Sequence, residues 1–143
     1  MMEIVIHGMP GPQGSKRFVG MKNGRGMMIE SSKKVRPWRD AVKTAALEAM
    51  GGQAGQGIKG ALVVEMIFTL PKPASAPKTR RTVPDRKPDL SKLVRSTEDA
   101  LTEIGAWEDD ARIVRCLSSK VYPNQGKDAL PVPGAVVRIL AES

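Results

Sequence analysis

Residues 89–105 constrain the chain most, because their pattern fits one helix with one buried stripe. At about 100° per residue, Leu93, Val94, Thr97, Ala100, Leu101 and Ile104 fall on a single arc. Ser91, Arg95, Glu98 and Thr102 occupy one polar flank, and Lys92, Asp99 and Glu103 the other. Asp89, after Pro88, suits the N-cap, with Ser91 as the alternative cap. Gly105 suits the left-handed residue that ends such a helix. A helix with one apolar face needs a sheet or a second helix against it.

The sheet is readable on both sides of that helix. Residues 61–70, Ala-Leu-Val-Val-Glu-Met-Ile-Phe-Thr-Leu, carry Leu62, Val64, Met66, Phe68 and Leu70 on one face, while Ala61, Val63, Ile67 and Thr69 leave the other only partly polar. Apolar residues on both faces predict a central strand. Shorter strands are predicted at 2–7, 112–121 and 134–141. A further helix is predicted at 37–50, with Pro37 in its first turn and Trp38, Val42, Ala45 and Ala49 as its core stripe. The predicted order is β-α-β-α-β-β: an α+β single domain over residues 1–143, with a mixed four-stranded sheet and two helices packed on it. Residues 11–26 and 71–87, rich in Gly, Pro, Lys and Arg, are expected to be mobile basic loops.

Charge points toward the partner. The chain of 143 residues carries a formal net charge of +8, which favours a polyanion. Yet eight of its fifteen acidic residues lie within 84–110: Asp85, Asp89, Glu98, Asp99, Glu103, Glu108, Asp109 and Asp110. Acid concentrated in a cationic chain fits a hard cation, which takes carboxylate, phosphate and water oxygens together. It fits equally a solvated charged face, with Glu108-Asp109-Asp110 as a plain turn. No apolar run is long enough to span a bilayer, and the N-terminus does not read as a signal peptide. The lone Cys116 fits a reducing cytoplasm and, lying in a strand-like run, is expected to pack. One histidine, His7, is too few for a histidine-based zinc site.

The spacing across 87–114 resembles the RusA family of Holliday-junction resolvases. The matching residues are Lys87-Pro88-Asp89-Leu90-Ser91-Lys92-Leu93, then Arg95, then Asp99-Ala100-Leu101-Thr102, then Trp107-Glu108-Asp109-Asp110-Ala111-Arg112-Ile113-Val114. The resemblance implies a RusA-like fold and a homodimeric, Mg²⁺-dependent endonuclease (Mn²⁺ as a substitute) that cuts branched DNA in recombination and repair. By position, Asp89, Asp109 and Asp110 are its acidic-site residues, with Asp110 the stronger ligand of the last two. Arg95 stands where the family has a catalytic lysine, and Ser91 where it has a second aspartate. Serine supplies no carboxylate. Glu98, two turns along the same flank, is the residue placed to replace it, the alternative being an ordinary ion pair with a nearby cation. Arginine is too basic to move a proton, so Arg95 is assigned charge stabilisation.

The cations expected on DNA phosphates are Lys16, Arg17, Arg80, Arg81, Arg86, Lys87 and Lys92. Trp38 and Trp107 are expected to pack rather than stack on bases. Two other functions fit the same residues: a branched-DNA-binding protein made inactive by Ser91, and a nuclease of flaps or forks.

Overall fold

The computed structural model describes residues 1–14 and 33–142 throughout, together with the backbone of strands at 16–22 and 25–30. Its main sheet has four strands, β1 (Met2–His7), β4 (Leu62–Thr69), β5 (Ile113–Val121) and β6 (Gly134–Ala141). They lie in the order β1-β6-β4-β5. β6 pairs antiparallel with both β1 and β4, and β4 pairs parallel with β5, so the sheet is mixed. The two helices are α1 (Val35–Ala49) and α2 (Leu90–Glu103). The main-sheet strands and helices follow the predicted β-α-β-α-β-β order, and the protein is a single α+β domain.

Helices and sheet bury one another through alternate strand residues. Leu62, Val64, Met66 and Phe68 of β4 face the core with Ile4, Ile6, Val137 and Ile139 of the neighbouring strands. α1 contributes Trp38, Val42 and Ala46, and α2 contributes Leu93, Ala100 and Leu101. The α1 stripe differs from the prediction at its far end: Ala46 and Met50 are buried, whereas Ala49 is exposed. On α2, Ser96 joins the buried face because its hydroxyl donates to the Gly11 carbonyl at 2.6 Å. A small polar side chain with a partner can occupy a core position that apolar spacing does not identify.

Both tryptophans pack. Trp38 lies against Phe68 with ring centroids 6.4 Å apart, and its Nε1 donates to Thr97 Oγ1 at 3.0 Å. Trp107 is buried beneath the acidic loop and donates to Thr102 Oγ1 at 2.7 Å. Each indole thus buries its ring and satisfies its one donor.

Two stretches depart from expectation. Within the supposed loop at 11–26, β2 (Lys16–Lys22) pairs antiparallel with β3 (Arg25–Glu30) as a separate two-stranded sheet. Asn23-Gly24, between two stretches with strand-forming residues, was the available sequence signal. The glycines and cations around it obscured the pattern. The second departure is β5, expected to bury Cys116. It is the sheet's edge strand, and Cys116 is exposed. Val114 and Leu117 are also exposed, at 61 % and 49 %.

Candidate active site

α2 sets the geometry of the candidate site. It enters at Asp89, an N-cap residue in extended conformation (φ −67°, ψ 134°) whose side chain makes no capping bond. Asp89 is therefore not occupied as a cap; its carboxylate lies 3.8 Å from Lys92 Nζ. The approach runs through a cis Lys87–Pro88 peptide. Lys120 of β5 fixes it, donating to the carbonyls of Arg86 at 2.8 Å and Pro88 at 3.0 Å. Arg80, Arg81, Arg86 and Lys87 are exposed along this irregular lead-in. The N-terminal end of α2 is thus a largely basic surface that carries the Asp89 carboxylate.

The other end is acidic. α2 stops at Ile104 and turns through Gly105, whose φ of 76° is the predicted left-handed position. Asp109 then caps a single 3-10 turn, Asp110–Arg112, by accepting from the Ala111 amide at 3.0 Å. That bond holds the Asp109 carboxyl below the ordinary carboxylate range. Asp110 is pushed the other way, first by sharing a side-chain hydrogen bond with Asp109, with the charges of Asp109 and Asp99 adding to it. Two carboxylates that close cannot both ionise freely.

Glu98 joins this end. Its pKa is raised, chiefly by burial and then by the charges of Asp110 and Asp99, while Arg95 pulls it down. Among the described residues Glu98 makes no ion pair within 4.0 Å. Arg95 is exposed on the same flank and within electrostatic reach of Glu98.

Of the sequence-predicted ligands, Asp110 stands beside Asp109 and within electrostatic reach of Glu98, and Asp89 lies at the start of α2. From Asp89 to Glu98 is nine residues of helix, a rise of about 13 Å. Among the described residues no group of three or more His, Cys, Asp or Glu is disposed to hold a metal ion. The donor chemistry suits a hard cation: oxygen donors short of positive charge.

The expected DNA cations divide in the same way. Lys92, Arg86 and Lys87 sit around Asp89, while the side chains of Lys16 and Arg17 lie outside the described residues. Arg39 and Lys43 of α1 hold Glu103 at 2.8 Å and 3.0 Å and tie α1 to α2. Lys120 was missed as a positioning residue, because its role depends on where β5 meets the lead-in.

No helix among the described residues is long and apolar enough to cross a membrane. No curated protein matches the chain. The model of the family described as endodeoxyribonuclease RusA matches residues 8–129, and the chain belongs to that family.

Proposed function

We propose that this endodeoxyribonuclease is a divalent-metal-dependent, homodimeric resolvase of four-way DNA junctions acting in recombination and repair, with Mg²⁺ as its metal and the cytoplasm as its compartment. The observation that carries the reading is the charge of the two ends of α2. One end holds Glu98, Asp109 and Asp110 with too little counter-charge, and the other holds Asp89 among Arg86, Lys87, Lys92 and Lys120.

The edge strand between these ends supports a dimer. Among the described residues β5 has no strand on its outer side, and it exposes Val114 and Leu117. An unprotected edge with apolar residues invites pairing. Antiparallel pairing of two copies about Leu117, the centre of Ile113–Val121, sets the start of each β5 beside the end of the other. Asp110 of one protomer, just ahead of β5, then faces the partner's Asp89, which Lys120 at the end of β5 helps to place. The acidic end of each chain meets the basic end of its partner, an isologous and self-complementary contact. Two such centres would lie on the order of 30 Å apart, the length of a nine-residue strand, and could make paired cuts.

In this arrangement Asp89 from one protomer, with Glu98, Asp110 and Asp109 from the other, would hold the metal. Glu98 would take the place left by Ser91. A divalent metal held there supplies Lewis-acid polarisation of the phosphate and of the attacking water. The chain's own groups position the strand: Lys92, Arg86 and Lys87 bind flanking phosphates, and Arg95 offsets charge developing on the scissile one. Arg95 also restrains the ionisation cost of Glu98.

Mixing variants tests the reading. Asp89→Asn and Asp110→Asn homodimers should each fail to cut a four-way junction with Mg²⁺. Co-refolding the two should restore cutting at one centre per mixed dimer, because one centre then carries both changes and the other carries none. Mixed dimers that stay inactive would place each centre within one chain. A wild-type protein that binds junctions and cuts none under any divalent metal would instead establish a binding protein disabled by Ser91.

A further inference from the structure

Beside Asp89 the structure forms a cleft of about 420 Å³. Its walls are apolar: Pro10, Pro12, Pro71, Pro84, Leu70 and Tyr122. Its rim is cationic, with Lys34, Arg86, Lys87 and Lys92, and Asp89 itself stands on the lining. The volume lies in the range of small-ligand sites, roughly 300–1,000 Å³.

The walls are held before any ligand arrives. Proline fixes its own backbone. Gly11, between Pro10 and Pro12, is packed so closely that a Cβ there would collide with the Lys34 carbonyl and crowd Trp38. Ser96 donates to the Gly11 carbonyl at 2.6 Å, and the Gln13 amide donates to the Lys92 carbonyl at 2.9 Å. On the opposite side the Leu70 amide donates to the Val121 carbonyl at 2.9 Å. A loop junction stiffened this thoroughly around an open apolar space is a pre-organised receptor.

We infer that this cleft receives a single unpaired nucleotide extruded from the branch point, its base between the proline and tyrosine walls and its flanking phosphates on the cationic rim. The inference rests on the nuclease acting on branched DNA, as proposed above, and extends it to how the scissile position is chosen. A charged rim around an apolar interior matches a nucleotide, which has phosphates outside and a flat apolar base within. A phosphate alone would leave the apolar interior unfilled. Extrusion costs least where stacking is already broken, as at a branch. Seating the neighbouring base there would fix the phosphate next to Asp89, so strand choice follows from which nucleotide enters the cleft.

The test uses the full-length protein with four-way junctions bearing 2-aminopurine at each branch-flanking position in turn, with chelator present to prevent cutting. Binding should raise 2-aminopurine emission several-fold at one position and leave it unchanged in linear duplex. Met9→Trp and Pro73→Trp, both exposed lining positions, should fill the cleft. Each should abolish the rise and weaken junction binding about tenfold, the scale of one lost base stack, with duplex binding unchanged. Junction binding without any rise, or a rise that survives both tryptophans, would overturn the cleft's role and leave the nuclease reading intact. Failure to bind any junction would instead overturn the nuclease reading, and the cleft's role with it.

Discussion

Two carboxylate clusters on this chain are built in opposite ways. On the sheet face away from the helices, Arg138 binds Glu3 at 2.8 Å, Glu65 at 3.2 Å and Asp128 at 2.7 Å. All three oxygens reach one guanidinium, which raises the arginine's pKa and lowers that of Asp128. At the acidic loop that follows α2 the shifts run upward instead: Glu98 is raised chiefly by burial and by the charges of Asp110 and Asp99 against the pull of Arg95, and Asp110 first by the hydrogen bond it shares with Asp109. The first cluster is complete within the fold. The second leaves Glu98 and Asp110 raised, the kind of uncompensated acid expected at the proposed site.

The comparison is sharpest in Asp110→Asn. Junction cleavage should fall about a hundredfold or more, the scale for loss of a metal-site carboxylate, while thermal stability is unchanged or higher because repulsion is relieved. A large loss of Tm in this variant would mean that the acidic cluster is structural after all. Arg138→Ala should do the reverse. It strands three acidic groups and should cost about 1–2 kcal/mol of unfolding free energy, discounted for their partial exposure. Junction cleavage below the unfolding transition should be retained.

The pH dependence should also split. Raised pKa values at Glu98 and Asp110 mean that their contribution to stability is full below the ordinary carboxylate range and is lost as pH rises through the shifted values. Asp128, with a lowered pKa, contributes above that range and loses its contribution as pH falls. Millimolar Mg²⁺ should therefore raise Tm more at pH 8 than at pH 5 in the wild type and little at either pH in Asp110→Asn. Equal Mg²⁺ shifts at both pH values would detach the metal from these groups. The smallest effect is expected at Glu103, whose lowered pKa comes first from its hydrogen bond to Lys43. Glu103→Gln should cost about 0.5 kcal/mol, lost as pH falls, with cleavage unaltered; a larger effect in urea titration would make the α1–α2 tie more than a surface pair.

Local chemistry made most elements legible. The period of 90–104, Gly105 after it, the alternation of 61–70 and the strand at 134–141 are each fixed by residues near in sequence, so α2, β4 and β6 could be read directly. Asn23-Gly24 held the same kind of signal for the β2–β3 hairpin but lay in a stretch whose glycines and cations read as loop. The spacing of Asp89, Asp109 and Asp110 was equally visible, and with it the family. What the tertiary structure decided were the relations between elements. β5 is an edge strand because β4 pairs with β6 on its other side, and Val114, Cys116 and Leu117, on its two faces, are exposed although their run reads as core. The proline-walled cleft is assembled from five separate stretches of chain. Glu98 comes within electrostatic reach of Asp110 while Asp89 lies nine residues back along α2, because the start of β5 returns beside the later part of that helix. Periodicity and capping are properties of neighbours in sequence; which ends meet is set by strand order and register, which arise only when the whole chain packs.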